Sequence, residues 1–272
     1  MLKIIAVLIL TISFTLSSVA DVIFEMDQKQ ISPEATHKTK GMVKGNNFKM
    51  DFYESGEKLD GAMIYRGDKK EMIMVDHQDK SYVVLDQATM NELVGVMSEA
   101  MSQFEEAMKD ATPEERAMME KMMKDRMPGM GGDKEAEPVL KKAGTAKVNS
   151  YSCTNYDVYR GEEKISQHCV ASWSSIGGGD EMQKVMLEMA EFMDQMAKSF
   201  SKSKGMMGQQ IQFDNNVFAQ LRKLNGFPVQ TIDYENGTVE SESQLVSSKK
   251  TTLNASDLEP PAGYTKRDMG SR

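Results

Sequence analysis

The sequence predicts an α+β protein in which helices lie against one face of a curved antiparallel sheet. Residues 22–85 contain short alternating runs. In one of them Phe48, Met50 and Phe52 are separated by charged residues, as expected for a half-buried strand. A second block of this kind covers residues 139–173. Between and after these blocks the apolar period lengthens to that of a helix, so the predicted order is strands, helices, strands, helix and strands.

Turn residues divide the predicted strands. Residues 67–68 and 77–79 are turn-like and separate three strand-like runs between residues 62 and 85. Near the C-terminus, Asn236 and Gly237 stand between two further runs. This dipeptide is typical of a two-residue β-hairpin turn, so we expect the flanking strands to pair.

Two helices are predicted in the middle of the chain. The first begins after Asp86, whose side chain is a suitable N-cap. The second begins at Thr112, with Pro113 at the first helical position and Glu115 completing a capping box, and it ends near Met127. The apolar face of the first helix consists of Met90, Leu93, Met97, Met101, Phe104 and Met108.

A third long helix is predicted after residues 177–179, which are three glycines. We interpret these glycines as a flexible linker that, together with Asp180, breaks the chain and caps the helix. A short helix over roughly residues 215–224 follows. The stripe of the third helix is made of Met182, Met186, Met189, Met193 and Met196.

The N-terminus has the features of a secretory signal peptide. Lys3 is followed by the apolar run 4–16, and Ser18 and Ala20 place small residues before a cleavage site at Asp21. The apolar run is shorter than the roughly 20 residues that span a bilayer. We therefore expect cleavage of residues 1–20, periplasmic localisation, and a mature chain without a transmembrane segment.

Residues 21–272 are expected to form one domain with a Met-rich helical insert at about residues 86–130. The formal net charge is −8, which gives the chain no electrostatic reason to bind nucleic acid. The acidity favours solubility instead.

Cys153 and Cys169 are the only two cysteines. Their midpoint is the turn-like Gly161, so strands that fold back there place the two cysteines opposite each other. An exported protein meets an oxidising compartment. We therefore predict a disulfide between them.

Methionine is unusually frequent, with 25 residues concentrated on the predicted helices. Three explanations stay open: apolar packing, an adaptable hydrophobic groove, and a site for Cu(I), for which thioethers are soft ligands. The candidate copper ligands are Met118, Met119, Met122, Met123 and Met127. The candidate groove residues are Met90, Leu93, Met97, Met101, Phe104, Met182, Met186, Met189, Met193 and Met196.

No motif for nucleophilic, nucleotide or zinc chemistry occurs in the sequence. Asp76, His77 and Asp79 lie close together, but no nucleophile accompanies them, so we interpret them as a solvated turn. We therefore expect a protein that is not an enzyme and has no cofactor.

Several segments together resemble a family of bacterial proteins. They are residues 76–86, 151–158, 224–229 and 261–266, with the hairpin at 236–237 between the last two. Their order resembles an uncharacterised exported family, a domain of unknown function, whose fold is similar to the lipoprotein-localisation carriers LolA and LolB.

This resemblance implies an incomplete β-barrel whose concave apolar side is covered by helices, and it implies no catalytic residues. It favours a periplasmic binding protein whose partner is a lipid, an acyl chain or an apolar protein segment. Two alternatives stay open: a periplasmic Cu(I)-binding protein, and a structural or protein-interaction module of the envelope.

Overall fold

The computed structural model has a single sheet of twelve strands and two long helices within the part of the chain that it describes. The described residues are 20–54, 58–112, 114–115, 118, 138–201 and 223–268. The strands are β1 (Asp21–Gln30), β2 (Ala35–Lys44), β3 (Asn47–Tyr53), β4 (Leu59–Arg66), β5 (Glu71–Asp76), β6 (Ser81–Leu85), β7 (Val139–Val148), β8 (Tyr151–Arg160), β9 (Glu163–Ala171), β10 (Phe227–Glu235), β11 (Thr238–Thr251) and β12 (Thr265–Lys266). The helices are α1 (Gln87–Asp110) and α2 (Gly179–Ser201), and short 3-10 turns cover Trp173–Ser175 and Ala255–Leu258.

The sheet is two meanders joined side by side. Its order is β12-β6-β5-β4-β3-β2-β1-β11-β10-β9-β8-β7. Strands β1 and β11 join the meanders through a long antiparallel pairing, from Asp21 opposite Thr251 to Gln30 opposite Ser241. Among the described strands β7 and β12 are the two edges, so the sheet is open and does not close into a barrel. The predicted antiparallel sheet is confirmed, apart from one parallel pair between β12 and β6.

One face of the sheet, here called the inner face, carries the main core. A row of directly opposed residues crosses five strands there, and its members are nearly inaccessible to solvent. The ring of Phe24, in the adjacent row, lies 6.2 Å from that of Phe48 and 5.8 Å from that of Phe227. The buried row consists of Val22, Val43, Phe48, Tyr65 and Met72.

The opposite face, here called the outer face, carries a smaller cluster between the sheet and the C-terminal segment. This cluster contains Ile64, Ile73 and Val84, with Tyr264 packed against it. Residues 255–267, here called the C-terminal strap, return along this face. Hydrogen bonds from Thr265 N to the Lys80 carbonyl and from Arg267 N to the Tyr82 carbonyl secure the strap beside β6.

Both predicted helix caps in the middle of the chain are confirmed. Asp86 accepts a hydrogen bond from Thr89 N at 2.8 Å and begins α1. Thr112 accepts a hydrogen bond from Glu115 N, and the Glu115 carboxylate accepts one in return from Thr112 N at 2.8 Å. The predicted continuation of this second helix to Met127 lies outside the described residues, as does most of the predicted helix over 215–224.

The interpretation of residues 177–179 as a flexible linker is wrong. Gly178 has φ +78°, and a Cβ built there would lie 2.2 Å from Val22 Cγ2. A Cβ on Gly179 would lie 1.9 Å from the Trp173 carbonyl oxygen, and one on Gly177 would lie 2.4 Å from that of Ser248. These glycines allow the backbone to pass close to β1 and β11, and α2 itself begins at Gly179, so Asp180 lies in its first turn.

The predicted disulfide between Cys153 and Cys169 is present, with a Cα–Cα distance of 5.4 Å. The two cysteines are not directly opposed, contrary to the prediction. Cys169 is paired with Asn155, because the turn of the hairpin lies at 161–162 and the register shifts after Val158. The bridge therefore runs diagonally from β8 to β9 within the inner-face core.

Candidate functional site

The methionines of α2 divide into buried and half-buried groups. Met182, Met189 and Met196 are between 0 and 7% exposed and belong to the main core cluster. Met186 and Met193 are half-buried and pack against the same cluster. Three of the five α2 residues predicted to line a groove therefore pack against the protein's own side chains, and two remain partly accessible.

The residues predicted on α1 are less buried as the helix proceeds. Met90 is 3% exposed in the core, while Leu93 is half-buried against it. Phe104 is half-buried. Met97 and Met101 lie on α1, but their side chains fall outside the described part of the structure.

Only one of the five predicted copper ligands, Met118, lies within the described part of the chain. Met118 is helical and 66% exposed. The other four candidates, at residues 119, 122, 123 and 127, lie outside the described residues. The structure thus brings none of the predicted set together within the portion it describes.

The sheet holds a second set of methionines that sequence reasoning did not single out together. Met50 on β3 is directly opposite Met63 on β4, and Met63 is directly opposite Met74 on β5. All three stand on the inner face, one row beyond the buried row that contains Phe48 and Tyr65. The sequence analysis names only Met50, as an apolar residue of its own strand, and the pairing register creates the row.

Burial decreases along this row from Phe24 on β1 to Met74 on β5, while Val83, opposite Met74 on β6, is again half-buried. The row starts at Phe24, which is fully buried and whose ring occupies the space over Gly41, where a Cβ would lie 2.0 Å from the ring. Met50 and Met63 are half-buried, and Met74 is 43% exposed. The three methionines therefore reach from the core to the solvent at Met74.

Helix α2 crosses the inner face over Tyr65, whose ring lies 5.6 Å from that of Phe192. Glu188 approaches Gly67, in the turn at the end of the sheet away from the methionine row. On a helix with 100° per residue, Met186 and Met193 lie about 140° to 160° from Glu188. These two methionines are therefore on the flank of α2 opposite Glu188, and both pack against the main core cluster.

Together these residues form an apolar surface on the inner face. It consists of Met50, Met63 and Met74 on the sheet, with Phe52 beside them on β3 at 38% exposure. We call these residues, together with Met186 and Met193 of α2, the methionine surface. A partly exposed apolar surface of flexible thioethers and an aromatic ring suits ligands of variable shape.

The described titratable groups form no catalytic arrangement on this surface. Burial raises the pKa of Tyr65, and the carboxylates of Glu188 and Glu191 raise it further, so this phenol stays neutral. His168 lies between Ser166 and Thr231, with hydrogen-bond distances of 3.2 Å and 3.0 Å. Burial lowers the pKa of His168.

The turn at 76–79 is not simply solvated, contrary to our interpretation of it. His77 Nδ1 lies 2.8 Å from the Tyr264 hydroxyl, and Arg267 donates to the Asp79 carboxylate at 3.1 Å. Burial lowers the pKa of His77. The turn therefore holds the C-terminal strap on the outer face.

An open polar cleft of about 520 Å³ lies beside the strap on the outer face. Its central cation, Arg66, is already paired with Glu71 at 2.6 Å and with Glu259. Tyr82, Pro260, Pro261 and Lys266 also line this cleft. Because Arg66 is already paired with two carboxylates of the protein, this cleft is a weaker candidate site than the methionine surface.

Within the described residues, no group of three or more His, Cys, Asp and Glu side chains is arranged to hold a metal ion. In that same part of the chain, no helix combines the length and the apolar character needed to cross a membrane.

The chain belongs to the family named Domain of unknown function (DUF4412), whose model matches residues 90–264. The predicted membership in a family of unknown function is thereby confirmed. No curated protein sequence matches the chain.

Several solved structures are similar in outline at low identity. An uncharacterized conserved protein from Thermus thermophilus is 7% identical with a TM-score of 0.44, covering 92% of this chain and 90% of that one. The MucA/MucB complex of Pseudomonas aeruginosa is 7% identical with a TM-score of 0.36, covering 90% of this chain and 57% of that one. A LolA superfamily protein from Nitrosomonas europaea is 8% identical with a TM-score of 0.31, covering 88% and 89%.

Proposed function

We propose that this chain is an exported, non-enzymatic binding protein of the bacterial envelope that shelters a hydrophobic ligand on the methionine surface. The ligand class is a lipid, an acyl chain or an apolar peptide segment. In this proposal α1 and α2 form one side of the site and strands β3 to β5 form its floor.

The observation that carries the proposal is the graded row of Met50, Met63 and Met74. If these methionines only filled the core, all three would be buried, whereas Met74 is 43% exposed. Phe52, which follows Met50 by two residues on β3, is 38% exposed. Burying a side chain of this size is worth about 1.5–3 kcal/mol. Covering the exposed parts of Met74 and Phe52 with a ligand therefore gives a favourable contribution to binding.

Export is part of the proposal. Strand β1 begins at Asp21, the expected first residue of the mature chain, and the Asp21 carboxylate accepts hydrogen bonds from Lys44 Nζ and Leu253 N, both at 2.8 Å. We expect N-terminal sequencing of the protein recovered from the periplasm to begin at Asp21. A mature protein that retains residues 1–20 would contradict this part.

The binding site is tested with N-phenyl-1-naphthylamine, an uncharged apolar fluorophore whose emission rises when it leaves water. Met74→Lys places a charge on the methionine surface, and Val246→Lys is the matched control because Val246 is a 47% exposed residue of β11, which is separated from β3 by β1 and β2. Loss of about 1.4 kcal/mol corresponds to a tenfold weaker Kd. We expect at least about that loss in the Met74 variant and an unchanged Kd in the control.

Two results would contradict the proposal. Equal weakening in both variants would show that the added charge acts through the whole protein. The absence of saturable fluorescence with the wild-type protein would leave a structural or protein-interaction module of the envelope as the better hypothesis.

A further inference from the structure

We propose that Met50, Met63 and Met74 also form a binding site for a soft monovalent metal ion, Cu(I). This inference goes beyond the proposed apolar ligand because it depends on sulfur chemistry and not on apolar area. Leucine can replace methionine in an apolar surface, but it cannot replace a thioether as a metal ligand.

The pairing register supplies the geometry. Met63 is directly opposite Met50 on one side and Met74 on the other. Directly opposed Cβ atoms on neighbouring strands are about 4.5–5.5 Å apart. In the plane of the sheet, an ion above Met63 is therefore about 5 Å from the Cβ atoms of Met50 and Met74. A methionine side chain has three rotatable bonds. The methionine side chain and a metal–sulfur bond, which is about 2.3 Å long in zinc–thiolate sites, together span that distance.

The surroundings favour a soft ion of low charge. Met50 and Met63 pack against the core cluster, so the ion would be partly desolvated, while Met74 leaves a route from solvent. A dication in such an apolar place would lack the oxygen or imidazole ligands that it prefers. Thioethers hold Cu(I) without a compensating negative charge.

The cysteines of this chain do not compete for the ion. Both are joined in the disulfide between Cys153 and Cys169, and the sequence has no others. In an oxidising compartment thiols are lost to disulfides, whereas thioethers persist. A thioether also has no proton to release, so binding by the row should be the same at pH 5.5 and pH 7.5, unlike binding by histidine or cysteine.

The test follows the methionine methyl groups in the oxidised, full-length mature protein labelled with [methyl-13C]methionine. Ag(I), which is soft and redox-inert, is the first probe, and Cu(I) kept reduced by ascorbate is the second. Resonances are assigned with Met50→Leu, Met63→Leu and Met74→Leu. The first equivalent of either ion should shift these three methyl resonances together.

Affinity is measured by competition with bicinchoninate, a Cu(I) chelator. Met63→Leu should weaken Cu(I) binding at least about tenfold. Even mutation of a residue that only contacts the ligands of a metal site lowers the metal affinity about 10–100-fold. Met42→Leu is the matched control, because Met42 lies between Gly41 and Val43 on β2 and is therefore on the outer face, away from the row. The proposal is overturned if the first equivalent shifts other methyl groups, if the two variants bind equally, or if the affinity changes between the two pH values.

Measuring both ligands on the wild-type protein separates this inference from the proposed apolar site. If N-phenyl-1-naphthylamine binds saturably but the first equivalent of Cu(I) leaves the three methyl resonances unshifted, the metal site alone is overturned. If Cu(I) shifts the three resonances but no saturable fluorescence appears, the apolar site alone is contradicted.

Discussion

Replacement of Gly178 by alanine should destabilise the protein strongly, because two separate costs meet at this position. The backbone there has φ +78°, and the left-handed region costs about 1–2 kcal/mol for a residue with a Cβ. The new methyl group would also lie 2.2 Å from Val22 Cγ2. Val22 is fully buried, so it cannot move aside into solvent, and overpacking of this kind costs about 1–3 kcal/mol.

The two terms together predict a loss of about 2–5 kcal/mol in the free energy of unfolding. For a chain of this size each kcal/mol lowers Tm by about 2–4 °C, which gives a fall of about 4–20 °C. Thermal unfolding of the oxidised protein, followed by circular dichroism, measures this shift.

Two other glycines separate the terms. Gly237 has φ +75° and open space around its Cβ position, so Gly237→Ala should show the backbone cost alone, about 1–2 kcal/mol. Gly95 lies in helix α1 with open space around it, so Gly95→Ala should stabilise the helix by about 0.5–1 kcal/mol. A Gly178 variant as stable as the Gly237 variant would refute the close packing of the glycine run against β1.

The remaining predictions concern the disulfide, the histidines and the helix cap. Replacing both Cys153 and Cys169 by serine should lower the free energy of unfolding by about 3 kcal/mol, measured by urea denaturation. The same urea midpoint for the wild type and the double variant would count against the bridge. Burial lowers the pKa of His77 and of His168 in the folded state, so the unfolded chain binds more protons. The contribution of these two histidines to the free energy of unfolding should be fully present above pH 6.5 and should decline below it. Tm measured from pH 7.5 to pH 5.0 tests this, and a flat profile would contradict it. Asp86→Ala removes the N-cap and should cost about 1 kcal/mol in the same urea assay, with an unchanged midpoint as the opposing result.

Elements with a strong local signal were predictable from the sequence. Asp86 and the Thr112–Glu115 box begin helices because their side chains bind backbone N–H groups within one turn. Asn236 and Gly237 both have positive φ, as their type of hairpin turn requires. In each case the interacting groups are neighbours in the sequence.

Features that depend on register or on distant packing were not predictable. The row of Met50, Met63 and Met74 exists only because three strands pair with one particular register, and a shift of one residue would place a methionine on the other face. The diagonal disulfide has the same origin, since the two-residue turn at 161–162 and the register shift after Val158 together place Cys169 opposite Asn155.

The glycine run and the C-terminal strap show the effect of tertiary contacts. A series of glycines is typical of a flexible linker when it is considered alone, and only the approach of Val22 reveals why side chains are excluded. The strap follows β11 directly in the chain, but its strand β12 pairs with β6, with Thr265 beside Ser81. Nothing in its own sequence specifies that distant partner.

Photoaffinity labelling with a diazirine-bearing fatty acid tests the central claim most directly. The label is activated on the oxidised protein, and the modified peptides are mapped by mass spectrometry with and without an excess of unlabelled fatty acid. Our account predicts competable labelling on β3, β4 and β5, centred on Met50, Met63 and Met74, and on the adjacent flank of α2. Labelling confined to the outer face, or labelling that excess fatty acid does not displace, would contradict it.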